Sequence, residues 1–321
     1  MIKAKGILDL EKNFDIFLFD AYGVFWSGSS FYKGVLDTMK KLINNGRIIY
    51  IVSNGTKTSK SSIDGYAKYG LIKGIHYNDL ITSGDVLKSY LLMKKLHFKK
   101  NNNPKNVYIL GECGKNIFDG TDYKVVDDIK DADFIYTAVP KLNENEFNNY
   151  SRKDELFESN DSKEKFWNSI SINPFINKLN LAVNSNLPTL NANPDFKASV
   201  GTTIPNKDIF AIRNGSFAEY IRNHNGEVVE FGKPDLAIYN FVFDKMKKAG
   251  IKIPDKSRIC MIGDSLRTDI KGANNFGIKS ILCIKTGMTA YEIQSGTNLE
   301  DLIKSENVTV DYIIDSVSGI Y

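Results

Sequence analysis

Three consecutive segments, DIFLFD (15–20), FYKGVLDTMKKLINNG (31–46) and RIIYIVSNG (47–55), constrain the fold of this chain most strongly. The outer two are short apolar runs of strand length. The middle one brings Val35, Leu36, Met39, Leu42 and Ile43 to one helical face, with Gly46 as its stop. A strand, a crossover helix and a second strand build a parallel unit. The same grammar returns in KPDLAIYNFVFDKMKKAG (233–250), RICMIGDS (258–265), DIKGANNFG (269–277) and KSILCIKTG (279–287), with Pro234 expected in a first helical turn and Gly250 at a helix end. The fold class is therefore α/β, with a doubly wound parallel sheet.

Between these two ends lies a region with strand-like runs of its own, NVYILGE (106–112), ADFIYTAV (132–139) and LNLAVNSN (179–186). The polar stretch KLNENEFNNYSRKDELFESNDSKEK (141–165) interrupts it and reads as a solvated loop or helix. An α/β unit inserted into the first one accounts for the arrangement. At 321 residues and 42% hydrophobic composition, the chain is long enough for two such domains.

Charge excludes some partners. With 42 basic and 38 acidic side chains the formal charge is only +4, so no bulk field favours nucleic acid or an anionic membrane. The basic run KKLHFKKNNNPK (94–105) reads as a solvated helix end. No apolar stretch approaches the ~20 residues of a membrane helix, and MIKAKGILDLEKNFD lacks a signal-peptide core, so a cytoplasmic location is expected. Cys113, Cys260 and Cys283 are too scattered for a disulfide framework or metal spacing, and His76, His97 and His224 have no partner ligands nearby in sequence.

Four polar stations fall at the carboxyl ends of the expected parallel strands of the first domain, where open α/β sheets hold their ligands. They are Asp20 in FLFDAYGV, Ser53 and Asn54 in YIVSNGT, Lys233 in EFGKPD, and Asp264 with Asp269 in CMIGDSLRTD. Taken singly, each suits a turn or a helix cap. Taken in order, they suit a phosphate on a divalent cation: Asp20 and Asp264 for a hard ion such as Mg2+, Ser53 for phosphate oxygens, and Lys233 for the anion's charge.

These motifs resemble the haloacid dehalogenase superfamily of phosphohydrolases, and among them class IIA, the nitrophenylphosphatase and phosphoglycolate phosphatase relatives. That class inserts its cap domain between the second and third motifs, which fits the long separation of Asn54 from Lys233. LITSGDVLKSYL resembles the start of the cap, VYILGECG its first strand, and LPTLNANPD the Asn-Pro-Asp station where the chain returns to the core. The resemblance implies a Rossmann-like core over 1–83 and 193–321 and a cap over 84–192. It implies Asp20 as nucleophile, Ser53 and Asn54 at the substrate, Lys233 as the neutralising cation, and Asp20, Asp264 and the Tyr22 carbonyl as ligands of Mg2+, with Asp269 supporting. The substrate would be a small phosphorylated metabolite, and the cap could join copies into a homo-oligomer.

The chain departs from that pattern at Tyr22, where the family's phosphatases carry a second Asp that protonates the leaving oxygen and then activates water. A phenol with a pKa near ~10 is a poor base at neutral pH, and general acid–base help contributes typically ~10²–10⁴-fold. Two readings follow. One is a phosphatase or phosphotransferase that needs little leaving-group protonation. The other is a catalytically weak or silent phosphate- and metal-binding protein that serves as a sensor or partner-binding module.

Overall fold

The structure, a computed structural model, describes residues 1–99, 102–112, 114–159, 165–203 and 207–320, with the backbone alone at 202, 203, 207 and 208. Cys113 and part of the polar stretch, 160–164, lie outside the described residues. Strands β1 (Ile2–Ala4), β2 (Ile16–Phe19), β3 (Ile48–Ser53) and β4 (Asp79–Thr82) join β15 (Ile259–Gly263), β16 (Lys279–Cys283) and β17 (Tyr312–Ile314) in one seven-stranded sheet. Its order is β1-β17-β16-β15-β2-β3-β4, and every neighbouring pair is parallel. All of β2 and β15 is buried, as continuous apolar strands covered on both faces must be.

Ten helices accompany the sheets among the described residues: α1 (Val35–Asn44), α2 (Ser59–Ala67), α3 (Ser83–Leu92), α4 (Glu144–Asn149), α5 (Ile176–Asn184), α6 (Asn214–Asn223), α7 (Leu236–Lys248), α8 (Lys271–Phe276), α9 (Gly287–Gln294) and α10 (Leu299–Glu306). Helix α1 buries Val35, Met39 and Leu42, as its spacing requires, and ends where Gly46 takes the left-handed conformation. Pro234 lies outside its helix, contrary to expectation. Asp235 takes the cap instead, because its carboxylate accepts the Ala237 N–H at 2.7 Å, and α7 starts at Leu236. No helix among the described residues is long and apolar enough to cross a membrane.

The inserted region holds a second parallel sheet, ordered β14-β11-β7-β5-β6, from β5 (Asn106–Leu110), β6 (Lys124–Val126), β7 (Phe134–Thr137), β11 (Thr189–Asn191) and β14 (Val228–Glu230). The described part of the polar stretch holds the expected short helix and two strands besides. It supplies α4 and two strands, β8 (Lys141–Leu142) and β9 (Leu156–Glu158), which pair with β10 (Trp167–Ser169) in a small antiparallel sheet while Phe147 of α4 stacks on Trp167. A hairpin, β12 (Lys197–Thr203) and β13 (Lys207–Ile212), leaves the second sheet after β11. Because β14 pairs with β11, sheet membership extends the inserted unit to residue 230. We propose that division in place of a return to the core at 193.

LNLAVNSN is not a strand. Its first six residues belong to α5, which buries Leu179 and Ala182, three apart, and leaves Leu181 62% exposed. A short apolar run cannot separate the two periods by itself, and Ile176 upstream completes the helical face. Removing Leu179 should therefore cost ~2–5 kcal/mol of unfolding free energy as Leu179→Ala, while Leu181→Ala stays within ~0.5 kcal/mol in urea titrations. A strand would place both on one face and give them similar costs.

Candidate active site

The site is built where the chain reverses direction across the first sheet. From β2 the chain moves to β3 and β4 on one side, whereas β15 leads to β16 and β17 on the other, which makes the β2–β15 seam the topological switch point. Parallel register, with Phe19 opposite Ile262 and the Asp20 N–H donating to the Ile262 carbonyl at 2.9 Å, sets Asp20 and Asp264 side by side beyond the seam. The Asp264 carboxylate accepts the Met288 N–H at 2.5 Å. It lies between the backbones of Gly23 and Gly287, both at positive φ, and a Cβ on either would collide with it. The backbone that follows Tyr22 thus passes against Asp264.

Lys233 ties three elements together. Its ammonium donates to Asp20 Oδ1 at 2.5 Å and to the Val52 carbonyl at 2.7 Å, and lies 2.8 Å from Asp269 Oδ1 as an ion pair rather than an aligned hydrogen bond. The Asn54 side chain fixes the Lys233 backbone, accepting its N–H at 2.8 Å and donating to its carbonyl at 3.1 Å, and also donates to Asp195 Oδ1 at 3.0 Å. Asn54 is thereby spent on positioning. Asp269 Oδ2 accepts the N–H groups of Asp264 and Ser265, which fixes the turn bearing Asp264. The Ser53 hydroxyl accepts the Gly55 N–H at 3.2 Å and keeps its proton to give.

Four carboxylates around one cation leave an excess of negative charge. Burial, opposed by Lys233 and reinforced by Asp269 and Asp195, raises the Asp20 pKa to about 7. Burial, then Asp269 and Asp20, holds Asp264 well above the ordinary carboxylate range. Burial would by itself discharge Lys233, but Asp20, Asp269 and Asp195 outweigh it and keep the ammonium charged. Oxygens of Asp20, Asp264 and Asp269 lie within 4.8 Å of one another, so the donors are all hard and carry unbalanced charge. Such a set fits a divalent cation of the magnesium type.

The cavity over this cluster has a volume of about 470 Å³ and is lined by Asp20, Tyr22, Ser53, Asn54 and Asp264 among others. Tyr22 stands at its wall, 38% exposed, and the buried Tyr66 of α2 also faces it. The Tyr66 phenol is raised well above its ordinary range by burial, then by Tyr22 and Asp20. Sequence reasoning missed Tyr66 and the role of Asp195, whose carboxyl is raised by burial and tied to Asn54. Asp195 stood in the Asn-Pro-Asp signal; for Tyr66, an aromatic in an ordinary helix, the sequence carried none.

Known proteins match this chain along most of its length. The family described as haloacid dehalogenase-like hydrolase matches residues 17–120, and the family described as HAD-hydrolase-like matches 230–320. Phosphoglycolate phosphatase 2 of Arabidopsis thaliana is 25% identical, covering 100% of this chain and 96% of its own. The 4-nitrophenylphosphatase of Schizosaccharomyces pombe is 26% identical, covering 96% and 93%. A haloacid dehalogenase-like hydrolase from Brucella suis 1330 shares the fold with a TM-score of 0.74 at 20% identity, covering 98% of this chain and 99% of that one. The chain belongs to the haloacid dehalogenase-like hydrolases. Its inserted α/β unit lies between Asn54 and Lys233, the cap position that the resemblance to class IIA implies.

Raised carboxyl pKa values have a definite consequence for stability. Folded Asp20 and Asp264 bind protons up to higher pH than they would unfolded, so their contribution is full in acid and is lost as pH rises, for Asp20 through about 7. In chelator, the melting temperature should fall between about pH 5 and about pH 8. Millimolar magnesium should restore it, more at the alkaline end, and Asp264→Asn should shrink that rise. A magnesium response equal at both ends and unchanged in the variant would contradict the site.

Proposed function

We propose that the protein is a magnesium-dependent phosphatase or phosphotransferase that acts on a small phosphorylated metabolite through a phosphorylated Asp20. The observation that carries this reading is the buried Lys233 ammonium held between Asp20 and Asp269, with Asp264 alongside. Supporting it are the names of two relatives, a phosphoglycolate phosphatase and a 4-nitrophenylphosphatase. Those activities speak for turnover and against the silent sensor.

Lys233 holds one carboxylate oxygen of Asp20 and leaves the other to attack. A bond forms from that oxygen to phosphorus while the bond from phosphorus to the ester oxygen breaks, and the leaving group departs with the electron pair. Ser53 donates to a phosphoryl oxygen, and Asp269 keeps Lys233 and the Asp264 turn in place. Magnesium held by Asp20, Asp264 and the Tyr22 carbonyl would supply positive charge to the phosphoryl group. Water then attacks phosphorus as the bond from phosphorus to the Asp20 oxygen breaks, and phosphate leaves with the water's protons, which restores the Asp20 carboxylate. The cap and hairpin over the cavity favour small esters and exclude bulk water.

Tyr22 governs which esters react. Nitrophenolate or a carboxylate leaves without a proton, whereas an alkoxide needs one. Wild type should cleave 4-nitrophenyl phosphate and acyl phosphates measurably and alkyl phosphates barely. Tyr22→Asp should raise the alkyl-ester rate by ~10² or more, as steady-state kinetics with magnesium would read. Asp20→Asn should lose all turnover while keeping its fold. Turnover at wild-type level in that variant would assign the chemistry elsewhere.

A further inference from the structure

One end of the cavity is built for something other than phosphate. Helix α9 starts at the Asp264 carboxylate through the Met288 N–H and one turn later presents Tyr291 and Glu292 to the same cavity. One turn is ~5.4 Å of rise, so a ligand anchored by its phosphoryl group at Asp20 and Asp264 meets Tyr291 immediately beyond it. The hairpin supplies the facing wall. Phe210 packs on Tyr291 with ring centroids 4.6 Å apart, and the Lys197 ammonium lies 5.5 Å from the Tyr291 ring. The Arg267 guanidinium lies 3.7 Å from the centre of the Phe196 ring.

These rings come from two different units, the inserted hairpin and the C-terminal part of the core, yet they line one cavity. Phe196 and Tyr291 are only partly buried, and both line that space. The half-buried Glu292 adds a carboxylate at the same end. A volume of about 470 Å³ is in the range that encloses a ligand of drug size, far more than a phosphoryl group with a two-carbon tail requires. Stacked cations and aromatic faces select a planar π-bonded group, and sp³ chains gain little from them.

We propose that this end of the cavity binds a planar ring in the organic part of the substrate, so that the protein acts on ring-bearing phosphate esters or anhydrides. The proposal rests on the phosphatase reading for its chemistry and on the ring-lined wall for its selectivity, and the two can be tested apart. Calorimetric titration of magnesium-loaded protein with benzylphosphonate and methylphosphonate measures selectivity without turnover. The benzyl compound should bind at least ~10-fold more tightly. Tyr291→Leu, and independently Phe196→Leu, should reduce that ratio to ~3-fold or less, since leucine keeps apolar volume and removes the π face. A wild-type ratio within ~2-fold, binding of neither compound, or a ratio untouched by both variants would overturn the ring site. Benzoyl phosphate and acetyl phosphate then separate the two ideas, because both release a carboxylate that needs no proton. Equal kcat/KM for the pair sinks the ring site and leaves the phosphatase standing. Ring-selective phosphonate binding with neither acyl phosphate cleaved sinks the phosphatase and keeps the ring site.

Discussion

The Lys233 ammonium, 1% exposed, lies within 2.8 Å of oxygens on three separate parts of the chain: Asp20 at the end of β2, the Val52 carbonyl in β3 and Asp269 beyond β15. Taking a cation out of water costs several kcal/mol, and only closely placed negative partners offset it. Three strand ends are therefore locked at one point by a charge that tolerates no other arrangement. The seam between β2 and β15, the Asn54 contacts that hold the Lys233 backbone, and the turn fixed by Asp269 all serve this pairing. Removing the ammonium would leave buried carboxylates uncompensated, a far larger penalty than losing a surface ion pair.

That cation only partly balances the carboxylates around it, and the imbalance joins structure to function. Asp20, Asp264, Asp269 and Asp195 repel one another in a poorly solvated space, which is why Asp20 and Asp264 favour protons when no second cation is present. On the proposed reading, a divalent ion held by Asp20 and Asp264 would relieve that repulsion. The repulsion would then add to the affinity for the metal and, through it, for a phosphoryl group.

Much of this was legible in the sequence, and for one reason. In a parallel sheet, side chains at successive strand ends converge, so Asp20, Ser53 and Asp264 could be placed together from apolar runs and the residues closing them. Asp269 followed from its spacing across a tight turn. What was lost depended on pairings that no local pattern encodes. LNLAVNSN has the length of a strand and the burial of a helix. Pro234 yielded the helix start to Asp235, a stronger cap. In the division proposed above, Asn193–Asp195 reach the site before the inserted unit is complete, since the chain then forms the β12–β13 hairpin and pairs β14 with β11 before Lys233. The aromatic wall belongs to the same blind spot, since Phe210 and Tyr291 are 81 positions apart and meet only in the folded chain.

Tyr22 gives the account its sharpest edge. A phenol in place of a carboxylate removes the base that would activate water against phosphorylated Asp20, so the second half of the reaction should be slower than the first. The phosphorylated enzyme should then accumulate. Rapid acid quench during turnover of acetyl phosphate with magnesium, followed by mass spectrometry of the peptide containing Asp20, measures this directly. A phosphoryl group on Asp20 should approach one per molecule before the steady state. Product release with Asp20 unmodified throughout, or with the phosphoryl group on a different residue, would contradict it.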